Sequence, residues 1–277
     1  MTSLIALASH DLALAAPRLD RLRAIRTTPF VNRNVSMRDN EGSAYVPRDR
    51  SLWLADDNGR AVYEVDPATG RLKRVIGRKA FEAARRAGGG RRAGVNRAID
   101  FESIAYDRAR DSLYVFSGSC CASSSRPTVF RLGRIRGRLR VVSYQPLPGN
   151  ARFDGAGWNS ANGKIYVAHG RDLRSYRYQT NALGRPFRVP GLGGITGMGF
   201  TPKGASLFVT THEEKLRRVR WSTKRLVSGW TFDLGRFGID DSRAVELIRS
   251  RYYVSDGADA LSNADPLKYA VHVFRVR

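Results

Sequence analysis

The stretch 39–76, DNEGSAYVPRDRSLWLADDNGRAVYEVDPATGRLKRVI, constrains the fold of this chain more than any other. It holds four short runs with strand character, at 42–46, 51–55, 61–65 and 72–76. The breaks between them are Pro47-Arg48-Asp49, Asp57-Asn58-Gly59 and Asp66-Pro67-Ala68-Thr69-Gly70. Proline presets φ, and glycine or asparagine accepts positive φ, so each break can reverse the chain. Apolar and polar residues alternate in the third run, as in a meander with half-buried faces. One such sheet is a module, so the question is whether the chain repeats it.

It does. Asp100-Phe-Glu-Ser-Ile-Ala-Tyr106 matches Asp39-Asn-Glu-Gly-Ser-Ala-Tyr45 in register, and three further strand runs follow, at 111–116, 128–132 and 139–144. A third unit starts at Asp154 and a fourth at Ile195. A fifth starts at Asp241, and the chain ends there one strand short. Unit starts lie about 40 to 60 residues apart with the same internal order, the pattern of a β-propeller. The expected fold is therefore all-β, a single propeller of five four-stranded blades over 22–277. Residues 22–30 form an orphan strand that completes the last blade and hides an open sheet edge. A sixth blade would need four strands from 1–38 and 77–99, which do not read that way. Within 77–99, residues 79–87 read as a short helix stopped by Gly88-Gly89-Gly90, an insertion in the repeat.

The first 21 residues stand apart. Their apolar start ends in Ala13-Leu14-Ala15, like the cleavage site of a secretory signal, but lacks a basic leader and is interrupted by His10 and Asp11. The reading is an export-signal remnant, and hence a secreted or cell-envelope protein, with a frayed terminus of a cytoplasmic protein as the alternative. No apolar run is long enough for a membrane span. The formal charge is +23, from 41 Arg and 7 Lys against 25 acidic residues. Such a surface attracts polyanions. No nucleic-acid-binding signature accompanies the charge, so an acidic polymer or a small molecule is the expected partner of a monomer.

The strand openings E-G-x-A-Y and E-S-I-A-Y, with V-Y-x-V-D-x-x-T-G later in the blade, resemble the SMP-30/gluconolactonase, strictosidine-synthase-like and esterase-like phytase-domain group. That resemblance implies a metal-dependent hydrolase of the lactonase or esterase kind, with Ca²⁺ as the cofactor. An early-blade glutamate of that group binds metal, which points to Glu41 and Glu102, and a late aspartate points to Asp256. A non-catalytic ligand-binding propeller is the alternative.

Propeller geometry places the loop before each first strand and the loop after each second strand on one face. That face collects Asp39, Asp100, Asp154 and Asp241 before the first strands. It collects Cys120, Cys121, His169, His212, Glu213 and Asp256 after the second strands. Converging carboxylates could hold a hard cation that polarises an ester or lactone oxygen. His169 and His212 could move protons, and Glu213 and the aspartates could bind substrate. The adjacent Cys120 and Cys121 could close a vicinal disulfide that contacts ligand or remain two thiols. An adjacent cysteine pair of this kind is similar to that near the cofactor of some quinoprotein dehydrogenase propellers. Each aspartate beside a glycine also reads as an ordinary turn former. Glutamate is a poor turn residue, which singles out Glu41 and Glu102. Tyr45, Trp53, Tyr106, Tyr114, Tyr166 and Phe208 recur at equivalent positions and read as core.

Overall fold

The computed structural model describes residues 16–32, 35–37, 39–87, 99–118, 127–148, 153–257 and 269–277. Residues 1–15, the Gly88–Gly90 stop and the Cys120-Cys121 pair lie outside them.

Blade 1 is β4 (Asn40–Val46), β5 (Ser51–Asp56), β6 (Ala61–Val65) and β7 (Leu72–Ile76), after β1 (Leu19–Arg26) and the small ribbon β2 (Val31–Asn32) and β3 (Val35–Ser36). Blade 2 is β8 (Phe101–Asp107), β9 (Ser112–Ser117), β10 (Thr128–Ile135) and β11 (Arg138–Pro146). Blade 3 is β12 (Gly155–Asn159), β13 (Lys164–His169), β14 (Asp172–Arg177) and β15 (Ala182–Leu183). Blade 4 is β16 (Ile195–Phe200), β17 (Ser206–Thr211), β18 (Lys215–Arg220) and β19 (Arg225–Asp233). Blade 5 is β20 (Ser242–Ile248), β21 (Arg251–Asp256) and β22 (Ala270–Val276), and β1 is its fourth strand. β1 pairs antiparallel with β22 from Leu19↔Val276 to Arg26↔Ala270, closing the ring. The expected helix is α1 (Arg78–Ala87), between blades 1 and 2.

Turn chemistry acts where the sequence places it. In the 66–70 turn, Asp66 Oδ1 accepts the Ala68 N–H at 2.8 Å, and Gly70 sits at φ 75°. Only glycine adopts that φ without strain.

The inner strands β4, β8, β12, β16 and β20 contact one another in turn around the axis, with β20 returning to β4. The core lies between the blades, in five clusters, one at each blade–blade contact. The second strands supply both sides, because successive side chains point to opposite faces. Along β5, Leu52 and Leu54 pack with Val271 and Val273 of blade 5, whereas Trp53 and Ala55 pack with Ile104 and Val115 of blade 2. That is why β5, β9 and β17 are buried along their whole length instead of alternating. Each large apolar side chain buried this way contributes about 1.5–3 kcal/mol, so inter-blade packing outweighs any single rim ion pair. Trp53, Tyr106, Tyr114, Tyr166 and Phe208 are core residues as expected, and Tyr45 is half-buried against the blade 5–blade 1 cluster. Among the described residues no helix is long and apolar enough to cross a membrane.

Candidate functional site

Four of the five inner strands slip register by one residue near their start. The pairings jump from Asn40 to Gly42, Phe101 to Ser103, Ile195 to Gly197 and Ser242 to Ala244. The skipped residues are Glu41, Glu102, Thr196 and Arg243. A bulge leaves its extra residue unpaired and re-aims the side chain, so one backbone device, repeated four times, presents two carboxylates, a hydroxyl and a guanidinium. Blade 3 pairs β12 with β13 without a slip.

Blades 1 and 2 come close enough for the two glutamates to interact. A Cβ on Gly42 would lie 2.8 Å from the backbone of Ser103 and Ile104, so this crossing needs glycine. Glu41 and Glu102 are both buried. Glu102 lies over Gly118. Arg243 Nη1 reaches Glu41 Oε2 at 3.4 Å, and its Nε lies 2.6 Å from Asp241 Oδ1. Burial raises the Glu41 carboxyl well above the usual range; Arg243 opposes this, and Asp39 and Glu102 add to it. Thr196 Oγ1 donates to Thr210 Oγ1 at 3.0 Å.

Two residues earlier, Asp39, Asp100 and Asp241 occupy equivalent positions in blades 1, 2 and 5. A side chain at the end of the second strand latches the backbone of each. Asp39 N–H donates to Asp56 Oδ1 at 3.1 Å, Asp100 N–H to Ser117 Oγ at 3.0 Å, and Asp241 N–H to Asp256 Oδ1 at 3.3 Å. Asp256 therefore stands in the latch of its own blade, fully buried, and burial pushes its carboxyl up to about 8, with Asp240, Asp241 and Glu214 adding to the shift. Asp241 rises to about 6 for the same first reason, against the pull of Arg243.

Asp57, one residue beyond the blade 1 latch, crosses to blade 2. Burial first, and then the charge of Asp100 and a hydrogen bond to it, raise Asp57 to about 8. Asp57 therefore keeps its proton at neutral pH. The mouth thus gathers Asp39, Glu41, Asp57, Asp100, Glu102, Asp241 and Arg243 from blades 1, 2 and 5.

The remaining expected residues lie on the same face but apart from this group. Asp154 Oδ2 accepts the Gly170 N–H at 3.3 Å and lies 3.7 Å from Nδ1 of the exposed His169. His212 is exposed beside Gly194, and Glu213 pairs with Arg217 at 3.3 Å. It is Glu214, at φ 54°, that reaches blade 5, accepting the Ser242 N–H at 2.8 Å. Sequence reasoning missed Arg243, Asp57 as a partner of Asp100, and Glu214. Aligning Asp241-Ser-Arg243 under Asp39-Asn-Glu41 would have found the first. No sequence signal marks the other two, because both contacts cross between blades.

The sequence points to a divalent cation at this mouth. Among the described residues, no three His, Cys, Asp or Glu side chains are placed to hold a metal ion. Within the group the Arg243 guanidinium lies against Glu41 and Asp241.

No family model matches the chain, and no curated protein matches it. The glutaminyl cyclase of Myxococcus xanthus is similar in structure, with a TM-score of 0.65 at 9% identity over 93% of this chain and 96% of that one. A luciferin-regenerating enzyme gives 0.54 at 11% identity over 94% and 95%. A chain of a nidogen–laminin complex gives 0.50 at 12% identity over 87% and 85%. At these identities the likeness shows the fold alone. The chain is a five-bladed β-propeller, and its propeller fold is shared with two enzymes.

Proposed function

We propose that this protein is an enzyme that hydrolyses a small ester or lactone at the Glu41–Glu102–Arg243 mouth, by general acid–base chemistry between carboxyl groups. The observation that carries the reading is the contact of Asp57 with Asp100 across blades 1 and 2, where burial and then the neighbouring carboxyl raise Asp57 to about 8. Enzymes pair carboxyls of divergent proton affinity for this purpose. In the proposed step, water oxygen bonds to the acyl carbon and its proton passes to Asp100. The acyl–oxygen bond then breaks, and the leaving oxygen takes the Asp57 proton, giving acid and alcohol. Arg243, held by Glu41 and Asp241, supplies a fixed positive charge facing the polarised carbonyl. The shared fold with enzymes supports the reading by analogy only.

The test is a pH–rate profile on a panel of aryl esters and lactones, with metal content measured on the same samples. Turnover should fall as pH rises through about 8, where Asp57 loses its proton. Asp57→Asn should lower kcat by about 10²–10⁴. Turnover that Asp57→Asn leaves intact, or that tracks bound metal and dies with chelator, overturns the reading. Salt-sensitive retention on heparin with no turnover across the panel would instead make this a binding propeller.

A further inference from the structure

The insertion between blades 1 and 2 builds a feature that the mouth does not use. Helix α1 is anchored in the core by Phe81, which packs edge-on against Phe101 and Phe130 at ring distances of 4.7 and 5.1 Å. The rest of the helix lies beside the blade 2 edge strand β11. The space between is a groove of about 970 Å³. Its walls are Ala80, Ala83, Ala84 and Ala87 on the helix, Val75 and Ile76 at the end of β7, and Leu139, Val141 and Val142 on β11. Val142 is 38% exposed, so the apolar wall of β11 opens to solvent.

The charges around this groove are of one sign. Lys79, Arg138 and Arg140 line it and are exposed, and among the described residues no carboxylate lines it. Arg74, the other cation there, is already committed to Glu64 at 3.0 Å and to the Leu139 carbonyl. The three remaining cations form no ion pair among the described residues. β11 contributes seven consecutive residues, 138–144, so the groove runs roughly 20 Å along the strand. That length suits an extended long-chain acyl tail, and its volume falls in the range of small-molecule sites. Small alanine walls leave room for a chain of methylenes, and beyond Lys79 the helix side of the groove is apolar.

We infer that the groove between α1 and β11 binds a single-chain anionic amphiphile of the fatty-acid class, with the acyl tail along the alanine face of the helix and the carboxylate at Lys79, Arg138 and Arg140. The inference is independent of the chemistry proposed at the channel mouth.

The experiment is a calorimetric titration of the full-length protein with palmitate, laurate and octanoate below their aggregation limits, with hexadecanol and a hexadecyl ammonium salt as controls. One palmitate per chain is expected, with affinity falling by up to roughly fourfold for each methylene removed. Hexadecanol should bind more weakly and the ammonium salt weakest. Ala83→Trp fills the groove from an exposed helix position and should abolish binding at an unchanged melting temperature. The double variant Arg138→Glu with Arg140→Glu should weaken palmitate by at least tenfold while tightening the ammonium salt, a reversal that loss of folding cannot mimic. Equal binding of both head-group charges, several ligands per chain, or binding intact in Ala83→Trp overturns the inference. So does association with phosphatidylserine vesicles, or capture of an acidic peptide, in the absence of palmitate binding.

Discussion

Blades 1 and 5 are neighbours in the ring, and at three equivalent positions the same backbone surrounds different chemistry. At the bulge, blade 1 carries Glu41 and blade 5 carries Arg243, and the two pair across the junction. At the latch both carry aspartate. Asp56 accepts the Asp39 N–H, the Gly59 N–H at 2.8 Å and the Tyr63 hydroxyl at 3.4 Å. Asp256 accepts the Asp241 N–H, and its Oδ2 faces His272 Nε2 at 3.9 Å, beyond hydrogen-bond reach. Tyr63 and His272 are themselves equivalent, each opposite the residue two before the aspartate. The lesson is that burial alone does not fix a carboxyl's charge. Three donors surround one aspartate, whereas burial, with the neighbouring charges of Asp240, Asp241 and Glu214 adding to it, raises the other to about 8.

Making blade 5 resemble blade 1 should have the largest effect. Arg243→Glu removes the guanidinium that compensates Glu41 and Asp241 and adds a third carboxylate. Breaking a buried ion pair from one side costs about 3–5 kcal/mol, readable by urea unfolding at pH 7. A loss below about 1 kcal/mol would mean that protons, not Arg243, balance the mouth.

The latch comes next. In Asp56→Asn an amide N–H₂ would face the donors of Gly59 and Tyr63, so the variant should lose about 2–3 kcal/mol at pH 7. Asp256→Asn should behave in the opposite way. Between about pH 4, where an unfolded aspartate titrates, and about pH 8, the folded state keeps a proton that the unfolded state has released. Asp256 therefore lowers stability as pH rises through that window. The asparagine variant should match the parent near pH 4 and exceed it progressively towards pH 8. Parallel pH–stability curves for parent and variant would break the distinction between the two latches.

Tyr63→Phe should have the smallest effect. It removes a 3.4 Å hydrogen bond from a carboxylate that keeps two backbone donors, for a cost under about 1 kcal/mol in thermal unfolding. A larger loss would make the hydroxyl, and not the backbone, the main support of Asp56.

Most of the fold was legible because propeller blades repeat local chemistry. Asp-Pro-Ala-Thr-Gly, the Ala-Tyr strand ends and the missing last strand each have a local cause, and the orphan strand, expected at 22–30, pairs at Leu19–Arg26. The helix begins one residue before the expected 79. In blade 3 the outer strand is the short β15, and an isolated bridge joins Leu173 to Phe187. The site was half legible. Glu41 and Glu102 stood out by register, and the structure brings them together. The face was legible too, since it follows from strand direction. What crosses between blades was not: Asp57 to Asp100, Arg243 to Glu41 and Glu214 to Ser242 join residues 28 to 202 positions apart, and nothing in either local stretch names its partner. The Cys120-Cys121 expectation lies outside the described residues.

The way β1 closes the ring has a mechanical consequence. Arg18 and Arg277 exchange backbone hydrogen bonds at 3.0 and 2.9 Å, so both handles of the closing strand pair sit at one end of it. A force applied through those two residues loads one hydrogen bond at a time, from Leu19↔Val276 towards Arg26↔Ala270, as a zipper opens. Shearing the whole pair at once would demand pulls from opposite ends, which this arrangement does not offer. The clasp that seals the propeller at rest is also the seam along which tension would open it first.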